Sequence, residues 1–189
     1  RHRLIRANMI VLLDRDGVVN IEVNGYVTAP NQIELIAGSG EAIARLNRAG
    51  IKTALVTNQS AVGRGLIDEN TLEQIHAHLG ELLAAEAAHL DIVVYCTDPP
   101  WAPTARRKPN PGMIWEAARM LDVFPPNAVM IGDDLRDLVA ASRAGCRRIL
   151  VRTGKGVNIE RAGVPRHVQP VLVRDNLAAA VDHLLGVER

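Results

Sequence analysis

The segment VLLDRDGVVN, residues 11–20, sets two carboxylates, Asp14 and Asp16, directly after an apolar run. Like charges this close repel. Burying either one is costly unless a cation or hydrogen bonds compensate. Three more polar groups have the same placement. Thr57-Asn58-Gln59 follows one apolar run, and Gly132-Asp133-Asp134, with Asp137 beyond it, follows another. Arg106-Arg107-Lys108 closes a proline-rich loop after a third. Carboxylates converging from two strands make a hard-oxygen site of the kind Mg²⁺ takes together with waters and a substrate phosphate. A carboxylate beside Mg²⁺ can attack phosphorus and form an aspartyl-phosphate. A second carboxyl two residues on can protonate the leaving oxygen and then activate water. Thr57 and Lys108 can hold the transferring phosphoryl oxygens, whose charge gains from fixed donors and cations.

The elements around these residues predict how they meet. Short apolar runs read as strands at Met9–Leu13, Lys52–Thr57, Ile92–Cys96, Ala128–Ile131, Arg148–Val151 and near 168–173. Between them lie helical patterns. One covers 38–49 and is closed by Gly50; one is capped by Asp68 and runs to about His89. A third opens at Asn110-Pro111 and runs to about Leu121, with Asn as cap and Pro as first residue. Leu135–Ala144, ended by Gly145, and 175–185 complete the set. This alternation predicts an α/β fold, a doubly wound, Rossmann-like parallel sheet with helices on both faces. Ligands in such folds sit beyond the carboxyl ends of the strands, where the acids, Thr57 and Lys108 all lie.

The chain has 189 residues, 48% hydrophobic and 23% charged, with net charge +1. That suits one domain over residues 9–189. The near-neutral charge gives no case for nucleic acid or an anionic membrane, and the apolar runs are too short to span a bilayer. Two cysteines, Cys96 and Cys146, make no disulfide framework, so a reduced cytoplasmic compartment is expected. Residues 1–8 are basic and precede the first strand; they are expected to be a poorly ordered extension, native or otherwise. Oligomeric state is left open between a monomer and a small homo-oligomer. Residues 97–111 hold five of the ten prolines and read as a stiff, ordered loop.

Asp14-Arg-Asp16-Gly-Val, Thr57-Asn-Gln, Lys108-Pro and Gly132-Asp133-Asp134-x-x-Asp137 together resemble the four motifs of the haloacid-dehalogenase-like (HAD) phosphatases. Each motif alone is weak; four in order, each after a strand, are specific. The resemblance implies Asp14 as nucleophile and Asp16 as general acid/base. It implies Mg²⁺ on Asp14, the Asp16 backbone carbonyl and Asp133, with Asp134 or Asp137 in support. Thr57, Asn58 and Lys108 are implied as phosphoryl binders. Roughly 40 residues separate the first two motifs, too few for a large cap domain, so an open site is expected.

Finer features resemble one subgroup. Asp14-Arg-Asp-Gly-Val-Val-Asn20, Gly25-Tyr26-Val27, Thr57-Asn-Gln-Ser60, Gly63-Arg64-Gly65 and Arg107-Lys-Pro-x-Pro-Gly112 look like the D-glycero-D-manno-heptose 1,7-bisphosphate 7-phosphatases. Histidinol-phosphate phosphatases share much of the pattern. Both imply a small phosphorylated substrate; the Tyr26 ring and the guanidinium groups of Arg64 and Arg107 suit its readers, a solvated surface arginine being the alternative, above all for Arg64. Both usually carry a zinc clip before Arg-Lys-Pro. Here Cys96 is followed by Asp98, Thr104 and Arg106 at the other ligand positions. One thiol cannot close a tetrahedral site, so no zinc is expected. Many heptose members also have Lys where Asp134 stands. Lys155, in Thr153-Gly-Lys-Gly156, reads as a surface turn, and His76, His78 and His89 as non-ligands. Trp101 reads either as a sugar platform or as packing for the proline loop.

Two other functions fit parts of the pattern. A receiver-type module also sets acids, a Thr and a Lys on a doubly wound sheet, but it stores phosphate and has no second acid two residues after the first; Asp16 discriminates against it. A nucleic-acid-end phosphatase would use the basic patch Arg106–Lys108, against which the near-neutral total charge argues.

Overall fold

Four consecutive apolar residues, Ile10–Leu13, form β1 and are buried on both faces. A strand without polar alternation belongs in the middle of a parallel sheet, and β1 lies there. The computed structural model describes residues 9–187; the expectation for residues 1–8 lies outside them. The other strands are β2 (Lys52–Asn58), β3 (Ile92–Cys96), β4 (Ala128–Gly132), β5 (Arg147–Val151) and β6 (Leu172–Arg174). All pairings are parallel, in the order β3-β2-β1-β4-β5-β6. The chain reverses its direction of travel across the sheet between β1 and β4. That is the switch point where ligands bind in such folds, so Asp14, after β1, and Asp133, after β4, leave adjacent strands together.

Period-two alternation divides the core. Val11 and Leu13 face one side, with α1 (Ser39–Arg48), α2 (Glu69–Ala85) and α6 (Leu177–Leu185) packed there through Ile43, Ile75, Leu79 and Val181. Ile10 and Leu12 face the other side, against Met113 and Ile114 of α3 (Gly112–Met120) and Ala140 and Ala141 of α4 (Leu135–Ala144). Helices on both faces are what the alternation predicted.

Capping chemistry sets the helix ends. The Asp68 carboxylate accepts from Thr71 N at 2.7 Å, and Asn176 accepts from Ala179 N at 2.9 Å. Three boundaries differ from expectation. Helix α2 stops at Ala85 rather than near His89, because Ala88 N bonds back to Leu83 O at 2.9 Å. In α3, Pro111 stands at the cap position, not inside the helix, and Gly112 N is tied to Ala105 O in the proline loop. Strand β6 begins only at Leu172, because a short turn over Arg166–Val168 and Pro170, which has no N–H for the ladder, precede it. A short helix, α5 (Gly156–Ala162), had no counterpart in the sequence reading.

Among the described residues, no domain is inserted over the strand ends. The β1–α1 connection carries one short turn, Pro30–Gln32, and the β2–α2 connection is residues 59–68. The site is left open, as expected.

Candidate active site

The carboxyl ends of β1, β2, β4 and β5 and the loop after β3 converge on one cleft of about 310 Å³. Carboxylate oxygens of Asp14, Asp133 and Asp137 lie within 4.8 Å of one another there. Asp133 is held close by two loops. Gly17 (φ +80) follows Asp16, and Gly154 (φ +56) follows β5; a Cβ on either would strike the Asp133 carboxyl. Both glycines therefore supply a left-handed turn and a close approach that no other residue allows. Asp133 Oδ2 also accepts from Lys155 N at 2.9 Å.

Lys108 is the cation of the cluster. Its side chain is 2% exposed, and Nζ reaches Asp14 Oδ1 at 3.0 Å, Asp137 Oδ1 at 2.7 Å and Val56 O at 2.8 Å. All three ammonium protons thus have acceptors. Burial alone would favour loss of its proton, but Asp137 and Asp14 outweigh burial and hold its pKa above the ordinary lysine value. The backbone around Lys108 is clamped by one side chain. Asn58 Oδ1 accepts from Lys108 N at 3.0 Å, and Asn58 Nδ2 donates to Lys108 O at 3.0 Å. The sequence reading set Asn58 on the substrate. Asn58 lines the cleft, and its amide makes one bond in each direction with the lysine backbone.

Asp16 faces a different set of groups. Its carboxylate accepts from Arg15 Nη2 (3.1 Å), Asn20 Nδ2 (2.9 Å) and Gln59 Nε2 (2.9 Å). Burial by itself would raise its pKa; Arg15, Asn20 and Gln59 outweigh that and lower it. Its carboxylate is therefore not in the acidic cluster, and the role expected for Asp16 toward a metal rests on its backbone carbonyl. Thr57, buried, accepts on Oγ1 from Gln59 Nε2 at 2.9 Å.

The expected substrate readers line the same cleft. The Arg64 guanidinium lies 5.4 Å from the Tyr26 ring centre and 5.1 Å from that of Trp101, a cation held between two aromatic faces. Trp101 is 68% exposed, so it forms the rim rather than the packing of the proline loop. Arg107 is buried and donates to Asp98 O at 2.7 Å. Where a zinc clip would lie, Asp98 Oδ2 accepts from Thr104 N at 2.7 Å, and Arg106 pairs with Glu116 at 2.9 Å.

The structure adds residues the sequence reading passed over. Lys155, read as a surface turn, lines the cleft and pairs with Glu22 at 2.9 Å and Asp134 at 3.6 Å. The sequence carries a signal for it: Lys155 lies just beyond the end of β5, as the other site residues lie beyond theirs. Asp134 caps α4 and pairs with Arg136 at 2.7 Å. Asp137 accepts from Asp134 N at 3.1 Å while holding Lys108.

The donor set fits a divalent cation. Three carboxylates meet one ammonium, which leaves negative charge in excess. Burial, then Asp14, then Asp137 push the Asp133 carboxyl well above the usual range. A hard cation on these oxygens would relieve that repulsion.

Residues 105–180 match the HAD-hydrolase-like family model. The D-glycero-beta-D-manno-heptose-1,7-bisphosphate 7-phosphatase of Bordetella bronchiseptica is 40% identical over 177 residues, 93% of this chain and 97% of that protein. The Pseudomonas aeruginosa enzyme of the same name is 38% identical over 176 residues, again 93% and 97% of the two chains. The crystal structure of D,D-heptose 1,7-bisphosphate phosphatase from B. bronchiseptica complexed with magnesium and phosphate superposes with a TM-score of 0.89 at 39% identity. It covers 95% of this chain and 99% of that one.

Proposed function

Since the chain belongs to the family of HAD-like phosphatases, we propose that it removes the 7-phosphate of a D-glycero-D-manno-heptose 1,7-bisphosphate with Mg²⁺. The observation that carries this reading is the position of Asp14. It stands at the junction of the acidic cluster and the buried Lys108, in a chain about 40% identical to heptose-bisphosphate phosphatases along nearly its whole length. We take residues 9–189 as one phosphatase domain working in the cytoplasm on a small phosphorylated sugar.

Asp14 is the nucleophile in this reading. Its carboxylate oxygen attacks phosphorus, and the bond to the sugar oxygen breaks. Asp16 first takes a proton from solvent and delivers it to that oxygen; it then takes one from the water that attacks the aspartyl-phosphate, releasing inorganic phosphate and free Asp14. Lys108 orients Asp14 and offsets charge on the phosphoryl oxygens, with Thr57 beside it. Asn58 acts through Lys108 by fixing its backbone. Asp14, Asp133 and the Asp16 backbone carbonyl would hold Mg²⁺, which when bound would supply electrostatic stabilisation of the phosphoryl group. Asp137 holds Lys108 from behind. Tyr26, Arg64 and Arg107 line the open side and suit a polyhydroxylated, doubly phosphorylated sugar, since guanidinium groups bind phosphate and vicinal hydroxyls.

Phosphorus NMR on the heptose 1,7-bisphosphate with enzyme and Mg²⁺ tests the reading. The expected result is loss of the C7 signal with the C1 signal intact. Equal loss of both, or no turnover while p-nitrophenyl phosphate is hydrolysed, would overturn the substrate assignment.

A further inference from the structure

Arg15, between the two acids of the first motif, has no exposed side-chain surface. A buried guanidinium is permanently charged and must be paired on every side to be tolerated. One edge faces Asp16: Nη2 lies 3.1 Å from both carboxylate oxygens, and Nε lies 3.3 Å from Oδ1. On the other edge, Nη1 lies 3.3 Å from Nε2 of His76, on α2. Guanidinium has donors only. His76 Nε2 is therefore the acceptor, and the ring is the neutral Nδ1–H tautomer.

His76 is itself fixed. Its ring lies 5.4 Å from the Tyr95 ring, tilted by 50°, and Tyr95 OH donates to Glu69 Oε1 at 3.0 Å. The line Glu69–Tyr95–His76–Arg15–Asp16 thus runs from the start of α2 through β3 to the second acid of the site. Burial, then Arg15, hold the imidazole pKa down at about 4, against a smaller pull from Asp16.

We propose that His76 is a positioning residue for the reaction, orienting Arg15 so that Arg15 fixes the Asp16 carboxylate for its proton transfers. This rests on the reading of Asp16 as general acid/base. A guanidinium without its rear acceptor can rotate about its stem, and the Asp16 oxygens then lose their fixed line to the attacking water. Hydrolysis of the aspartyl-phosphate is the step that depends on it most, because no leaving-group acidity can compensate there.

The test uses the full chain with Mg²⁺ and p-nitrophenyl phosphate, whose leaving group needs no proton. His76→Phe keeps a ring but removes the acceptor; His76→Gln places an amide oxygen near the position of Nε2. For His76→Phe we expect kcat to fall on the order of tenfold, KM to fall with it so that kcat/KM stays within about twofold, and the burst of p-nitrophenolate to rise toward one per active site. His76→Gln should stay within about threefold of wild type. Should His76→Phe not fold, His76→Asn, whose shorter amide falls short of Arg15, takes its place with the same expectation. A wild-type kcat in the acceptor-less variant, or equal losses in it and in His76→Gln at matched Tm, would overturn the proposal. Asp16→Asn run alongside separates the two readings. If Asp16→Asn is active, the reading of Asp16 falls and this inference with it. If Asp16→Asn is inactive while His76→Phe is unaffected, only this inference falls.

Discussion

Lys108 Nζ lies 3.0 Å from Asp14 Oδ1 and 2.7 Å from Asp137 Oδ1, so one buried ammonium ties the end of β1 to the first turn of α4. Removing it leaves the buried Asp137 carboxylate and the half-buried Asp14 carboxylate facing each other. Lys108→Met should cost about 3–5 kcal/mol of stability, measured by urea unfolding with the metal chelated. Asp137→Asn in that background should restore part of the loss. Strict additivity of the two substitutions would contradict the coupling.

Asn58 gives both ends of its amide to the Lys108 backbone. Asn58→Ala should therefore act on the chemical step by letting the lysine drift. We expect kcat lower by about tenfold, since small misplacements in an active site cost heavily, with KM within about twofold. A raised KM at unchanged kcat would return Asn58 to the substrate.

The crowded acids predict a metal effect readable without turnover. Mg²⁺ at about a hundredfold over its Kd should stabilise the protein by about 2.7 kcal/mol, and EDTA should remove both this gain and activity. Asp133→Asn should raise the metal-free Tm, because it relieves the repulsion from Asp14 and Asp137, and should lose the response to Mg²⁺. A metal-free Asp133→Asn less stable than wild type would contradict this account of the cluster.

His76 makes stability depend on acid. Burial and Arg15 lower its pKa from 6.5 to about 4, with Asp16 pulling the other way. The unfolded chain therefore binds the proton more readily between those values, and the fold loses stability as pH falls from 6.5 through about 4. The loss is at most about 3 kcal/mol and should be absent in His76→Gln. The difference between the two urea titrations across that window isolates it. Parallel curves would show that the imidazole titrates as it does in the unfolded chain.

Much of the fold was legible because the signals were local. The apolar runs before Asp14, Thr57 and Asp133 marked central strands, and Asp68 and Gly145 marked helix ends by their own capping chemistry. Placing Asp14 and Asp133 after their strands then brought them together without further information. What escaped was set by contacts distant in sequence. Nothing near Asn58 indicates that its partner is the backbone of Lys108, 50 residues on. His76 reads as one histidine among three on a helix, and only the fold sets it against Arg15. Lys155 was legible by its place after β5; the approach of Gly17 and Gly154 to Asp133, which brings its backbone N–H onto that carboxyl, was not.

The most direct test of the account is turnover by Asp14→Asn on the heptose 1,7-bisphosphate with Mg²⁺, compared with wild type at matched Tm. The substitution keeps shape and much of the hydrogen bonding but removes the nucleophilic oxygen anion. The account predicts a folded protein with kcat lower by at least about a thousandfold. A variant that retains a tenth of the wild-type rate would contradict it.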